Sequence, residues 1–261
     1  MSTRTLAYGP HPDQFLELTL PAAQGPAPVA VVLHGGFWRA AYGIELARPL
    51  AADLAAAGWA AVAVEYRRVG TGGGWPATLE DVAAALDALA DTDGLDLGDV
   101  TVIGHSAGGH LAAWAAGRAR LPEGAPGAAP RVRVTAAVLQ AGVLDLTRAA
   151  EQELGRRAPQ EFLGGEPGAV PGRYAGADPV RLLPTGADVL CVHGTGDDVV
   201  PPEQSERYAT AARAAGDRVE VRGVPGGHRD VIDPAGEGWA VVRDWLRERA
   251  TARRDGTTLE P

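Results

Sequence analysis

Ser106 is one of only three serines in the chain, with Ser2 and Ser205, and it stands in Gly104-His105-Ser106-Ala107-Gly108, a G-x-S-x-G turn. Before it, Val100 to Ile103 is a short β-branched run that reads as a buried strand; after it, Ala107 to Gly117 is Ala-rich and reads as a helix. A turn from strand to helix this sharp leaves no room for a Cβ two residues either side of the serine, and Gly104 and Gly108 provide none. The pattern predicts Oγ exposed at the carboxyl end of the strand, on a strained backbone, with the N–H of Ala107 free to donate to an oxyanion.

A serine hydroxyl needs a general base, and histidine has the pKa for that work near neutrality. Six histidines are available. His11 lies in a polar leader. His105 should point away from a pocket that the serine faces. His110 sits on the following helix, where a supporting or core role is expected. His34 and His193 both precede glycine at strand ends, where an imidazole braces a loop. His228 follows the last strand, in a loop able to reach Ser106, and is the expected base. Asp197, soon after the penultimate strand, is the expected partner that orients it. Asp198 and Asp145 are the alternatives, the first turning outward and the second capping the next helix.

The elements that must position these residues form an alternating series. Phe15 to Leu20 reads as a half-buried strand. Val29–Leu33, Ala60–Val64, Val132–Leu139, Ala187–Val192 and Arg218–Val224 read as strands, the first two continuous apolar runs of parallel-sheet type. Helices are expected at about Ile44–Ala57 (stopped by Gly58), after an N-cap at Thr78, at Pro202–Ala215 and at Gly238–Glu248. Strands alternating with helices imply an α/β fold, a mostly parallel sheet with helices on both faces. Ligands bind outside the carboxyl ends of such strands, where His34-Gly-Gly, Ser106, Asp145, Asp197 and His228 all fall. Residues 1–261 read as one domain, with 141–185 as a cap-like insertion and 250–261 as a frayed tail. Gly70 to Gly74 reads as a mobile loop, since Glu80 and Asp81 in the next helix's first turn would repel a phosphate.

The chain order Ser106, Asp197, His228 is the nucleophile–acid–base order of the α/β-hydrolase pattern. His34-Gly-Gly-Phe-Trp38 stands where that pattern puts its second oxyanion donor, so Gly36 and Phe37 join Ala107 as expected donors. Together with Tyr8-Gly-Pro10, His193-Gly-Thr-Gly-Asp197 and Gly227-His228 with Ile232-Asp-Pro234, these pieces span roughly residues 8 to 245. The chain resembles α/β-hydrolases of the esterase/lipase type, close to the arylformamidase (kynurenine formamidase-like) and carboxylesterase enzymes. It departs from related esterases in having Glu65-Tyr-Arg67 where many have Asp-Tyr-Arg. The resemblance implies Ser106, Asp197 and His228 as a catalytic triad that hydrolyses carboxylic esters or aryl formamides, with no metal or organic cofactor. Phe37 and Trp38 beside the oxyanion loop point to an apolar or aromatic substrate, with Trp38 contacting it. The expected function is a serine carboxylesterase for small or medium acyl groups. Arylformamidase activity is the nearest rival. A binding protein that kept the fold and lost catalysis is disfavoured by the intact nucleophile, acid and base.

Composition narrows the field. A net charge of −9 with no basic block argues against nucleic acid and anionic membranes as partners, leaving a small-molecule ester or formamide. No lysine is present, which excludes a Walker A or Schiff-base lysine. One cysteine, Cys191, excludes an internal disulfide and a Cys-based zinc site. The amino terminus has no apolar run of signal-peptide length, and Asp53 and Gly58 break the longest apolar stretch, so no membrane span and a cytoplasmic location are expected.

Overall fold

The computed structural model describes residues 2–22 and 25–255. Eight strands form one sheet: β1 (Thr3–Ala7), β2 (Phe15–Thr19), β3 (Ala27–Leu33), β4 (Ala60–Val64), β5 (Leu95–His105), β6 (Ala136–Gln140), β7 (Asp188–Gly194) and β8 (Val219–Val224). Their order is β1-β2-β4-β3-β5-β6-β7-β8. β1 and β2 pair antiparallel, β2 runs antiparallel to β4, and all remaining pairs are parallel. β4 and β6, and all but one residue each of β3 and β7, are buried, as continuous apolar runs covered on both faces must be.

The helices are α1 (Arg48–Ala56), α2 (Ala77–Ala88), α3 (Ala107–Gly117), α4 (Leu146–Glu151), α5 (Leu154–Leu163), α6 (Pro171–Ala177), α7 (Glu203–Ala214) and α8 (Glu237–Arg254). α1 and α8 pack one face of the sheet, through Leu50, Leu54, Trp239, Val242 and Leu246. The other face carries α2, α3 and α7, with the insertion helices α4–α6 joining the same apolar cluster. No helix among the described residues is long and apolar enough to cross a membrane.

Several expectations are corrected. β1 lies in the polar leader, where no strand is expected from the sequence; it is an exposed edge strand held by its ladder to β2. Thr78 is not an N-cap: Pro76 is, and Thr78 Oγ1 instead donates to Arg67 O at 2.6 Å and accepts from Gly74 N at 2.9 Å. The glycine loop is thereby tied down, with further bonds from Thr71 N and Gly73 N to Arg68 O and from Trp75 N to Phe162 O, each 2.8 Å. The first turn of the expected helix at Ile44 is a separate 3-10 turn, Ile44–Leu46. The expected tail is helical as far as Arg254, and its remainder, 256–261, lies outside the described residues. α8 persists because Arg249, 2% exposed, reaches Asp99 Oδ1 at 2.5 Å and Asp188 Oδ2 at 3.1 Å; a paired cation occupies a core-facing position there.

Candidate active site

Ser106 sits between β5 and α3 with φ +56° and ψ −118°, a conformation L-residues adopt only under constraint. The constraint is close packing of backbone. A Cβ on Gly104 would lie 2.0 Å from Gly108 O, and one on Gly108 would lie 2.1 Å from Leu33 O. Ser106 N donates to Gln140 O at 2.8 Å, tying the turn to β6. The N–H of Ala107 opens α3 and has no acceptor within the helix.

Asp197 follows β7, and its side chain is fully buried. Oδ1 accepts the N–H groups of Val199 and Val200, both at 2.9 Å. Oδ2 faces His228 Nδ1 at 2.8 Å and His193 Nε2 at 3.2 Å. Burial pushes this carboxyl up, but the His193, His228, Val200 and Val199 hydrogen bonds outweigh it and hold the group well below the usual carboxylate range. With Nδ1 of His228 engaged by Asp197, Nε2 is the ring nitrogen left for other work. His228 and Ser106 line the same cavity, of about 590 Å³. A hydroxyl, an imidazole with Nε2 available and a buried carboxylate behind Nδ1 can together move a proton off the hydroxyl and back.

The loop after β3 supplies the opposite wall. Gly36 (φ +118°) and Phe37 (φ +55°) line the cavity, and Trp38 also has positive φ, +57°. His34 braces the loop as expected: Nδ1 lies 2.8 Å from Gly35 O and Nε2 3.0 Å from Glu65 Oε1. Glu65 is thus a structural tie, also accepting Ile44 N at 3.0 Å. Its burial raises the carboxyl, and the hydrogen bond and charge of His34, together with the N–H groups of Ile44 and Tyr66, outweigh that and lower it.

Trp38 does not contact substrate space. It is 1% exposed and absent from the cavity wall; its indole donates to His110 Nδ1 at 3.1 Å and stacks on Phe162, ring centroids 4.7 Å apart. An indole N–H needs a buried acceptor, and α3 and α5 together enclose it. The insertion 141–185 likewise contributes none of the cavity's lining residues. It grips the loop instead. Arg39 donates to Glu161 at 2.6 Å and to Gly155 O at 2.9 Å, and Phe37 lies so close to Gly155 that a Cβ there would be 2.2 Å from Phe37 Cε1.

Asp145 is an N-cap, accepting Arg148 N at 2.9 Å and pairing with Arg207 at 2.9 Å, while it is Asp197 that faces His228 Nδ1. Asp198 is exposed at the cavity. His193 braces, bonding Ser205 Oγ at 2.8 Å and Val200 O at 2.9 Å. His110 is buried between Trp38 and Ala177 O, and burial lowers its pKa to about 4. His105 overturns its expected direction: it lines the cavity and lies against His228. Tyr42, Leu46, Val199, Arg229, Ile232 and Asp233 complete the wall. Of these only the stretch Ile232-Asp-Pro234 carried a sequence signal.

The family model described as BD-FAE matches residues 16–211. Esterase LipQ of Mycobacterium tuberculosis is 33% identical over 198 residues, 73% of this chain and 47% of LipQ. Esterase LipC of the same organism is 31% identical, over 90% of this chain and 62% of its own length. The chain spans about half the length of the curated relatives it matches. A truncated carbohydrate esterase from gut microbiota superposes with a TM-score of 0.81 at 22% identity, covering 96% of this chain and 97% of that one, which shows a shared fold. These names lend no support to the arylformamidase branch. The chain belongs to the BD-FAE family and has the α/β-hydrolase fold.

Proposed function

We propose that the protein is a serine hydrolase of carboxylic esters with small or medium acyl groups, working through an acyl-enzyme. The observation that carries this reading is the placement of Ser106, on its strained turn, in one cavity with His228, whose Nδ1 is held 2.8 Å from Asp197. The esterase names of LipQ and LipC support the same chemistry.

In this mechanism Ser106 Oγ attacks the ester carbonyl as His228 Nε2 takes its proton. The carbonyl oxygen gains negative charge and is met by the N–H groups of Ala107 and of Gly36 and Phe37. The C–O bond to the alcohol breaks as His228 returns the proton to the departing oxygen. Water, deprotonated by the same nitrogen, then attacks the acyl-serine; the bond to Ser106 Oγ breaks as His228 returns that proton to it, and the acid leaves. Asp197 holds the imidazole in the tautomer with the proton on Nδ1 and stabilises it when it becomes positive. The wall residues Phe37, Tyr42, Leu46, Val199 and Ile232 give the cavity an apolar lining suited to a short acyl chain.

Hydrolysis of p-nitrophenyl acetate and covalent labelling by a fluorophosphonate are the direct tests. Both should be present in the native chain and lost in Ser106→Ala, with turnover reduced at least about 10³-fold. Labelling that persists in Ser106→Ala, or a native protein inert to both reagents, overturns the proposal.

A further inference from the structure

His105 precedes the nucleophile and closes β5, and its imidazole bridges the two halves of the site. Nε2 lies 2.8 Å from the backbone oxygen of His228. A carbonyl oxygen can only accept, so Nε2 carries the proton and Nδ1 does not. The two imidazoles are in contact, centroids 4.5 Å apart and planes tilted by 46°. On its other side the residue meets the oxyanion loop: a Cβ on Gly35 would lie 2.9 Å from His105 Nδ1 and 2.8 Å from its backbone oxygen. The side chain comes from the closely packed end of β5, next to Ser106. It therefore references the base and the oxyanion loop to the nucleophile.

We propose that His105 is a positioning residue for the hydrolytic site: its Nε2–H holds the backbone of His228, and its ring sets the spacing of that loop from Gly35 and Ser106. The inference rests on the proposed hydrolase reading and adds a residue to it. Burial, reinforced by the neighbouring His228, pushes the His105 pKa down to about 3, so the ring is neutral and the donor stays in one tautomer through the pH range of ester hydrolysis. A neutral donor adds no positive charge to compete with His228 for Asp197. Backbone anchoring suits this task because the loop from Gly226 to Asp230 is largely exposed and offers few apolar contacts of its own.

The test compares the full chain with His105→Gln, whose Nε2 sits about where the imidazole Nε2 does, and His105→Phe, which keeps a ring and loses the donor. With p-nitrophenyl acetate, His105→Phe should lose about 10- to 100-fold in kcat with KM within about two-fold, the size expected for a misplaced base. His105→Gln should stay within about three-fold of the native kcat. If the phenyl ring prevents folding, His105→Asn replaces it, since its amide is too short to reach the carbonyl. A folded His105→Phe or His105→Asn with native kcat, or a His105→Gln that falls as far as they do, overturns the inference. The ¹⁵N and ¹H signals of the His228 imidazole give a reading independent of turnover. They should keep the Nδ1–H to Asp197 signature in His105→Gln and lose it, by broadening or exchange, in the variants without a donor. If the native chain shows no Ser106-dependent hydrolysis, the functional reading fails, and unchanged His228 signals in all variants separately refute the positioning role.

Discussion

Asp197→Asn is the substitution whose outcome the geometry constrains most tightly. Two backbone N–H groups, of Val199 and Val200, both point at Oδ1 from 2.9 Å. In the asparagine variant the amide oxygen must occupy that position, or two buried donors lose their acceptor. Leaving each unmet costs about 1–3 kcal/mol, so flipping the amide costs about 2–6 kcal/mol. With the oxygen kept there, the NH₂ group faces His228 Nδ1 and His193 Nε2, where Oδ2 now accepts at 2.8 and 3.2 Å. His228 can avoid a donor–donor clash only by moving its proton to Nε2. That nitrogen then has no lone pair for the Ser106 proton. The wrong tautomer in a serine triad lowers kcat about 10⁴-fold, or about 5 kcal/mol. Even the cheapest flip, about 2 kcal/mol, leaves a loss of about 30-fold. We therefore expect kcat on p-nitrophenyl acetate to fall between about 30- and 10⁴-fold with KM within about three-fold. The rate of fluorophosphonate labelling should fall in parallel, because acylation itself is impaired. A correctly folded Asp197→Asn retaining more than about a tenth of native kcat would refute the assignment of Asp197 as the group that fixes the His228 tautomer.

Two further outcomes follow from the cavity and from a buried carboxylate. Leu46, His105 and Ile232 line both the main cavity and a small void of about 10 Å³ behind it. Leu46→Ala should join the two and raise the kcat/KM ratio of hexanoate to acetate esters by about four-fold for each added methylene that becomes buried; an unchanged chain-length profile would show that Leu46 does not bound the acyl site. Asp178 is buried beneath the start of α4, accepting Leu146 N at 2.9 Å and Thr147 Oγ1 at 3.1 Å, and burial, with Asp145 nearby, pushes its pKa from 3.8 up to about 6. A folded-state pKa above the unfolded one means the folded chain holds this proton more tightly. Its contribution is thus fully present below about pH 4 and lost as pH rises to about 6, a change of about 3 kcal/mol. The stability of Asp178→Asn minus that of the native chain, from urea midpoints, should rise across that window, and parallel curves would refute the burial effect.

The parts of this molecule that were legible in the sequence are those whose causes are local. α3 begins at Ala107 and ends at Gly117 as expected, because the turn before it is fixed by glycines and its interior is alanine. β4 needs only its own β-branched and alanine run to declare itself. β1 was illegible because Thr3 to Ala7 has no buried face and exists through pairing with β2. The last turns of α8 were illegible for the opposite reason. Arg249 breaks the apolar stripe in sequence, and its partners Asp99 and Asp188 lie 150 and 61 residues away.

The same division runs through the candidate site, and it separates chemistry from placement. Ser106, Asp197 and His228 could be chosen because each belongs to a short motif with a chemical reason. Asp145 stays an alternative in the sequence, and the structure makes it a helix cap. Trp38 and His105 went wrong because their direction depends on what lies across the fold. An indole next to an oxyanion loop is equally able to face a substrate or a core. Phe162, 124 positions later, stacks on it and decides for the core. The imidazole before the nucleophile was expected to turn away because neighbouring side chains on a strand alternate in direction. That alternation ends with the strand: Ser106 has already left it, with positive φ. Once the period-two rule lapses, His105 can face the cavity beside the serine it precedes, and the carbonyl of His228, 123 positions away, fixes it there.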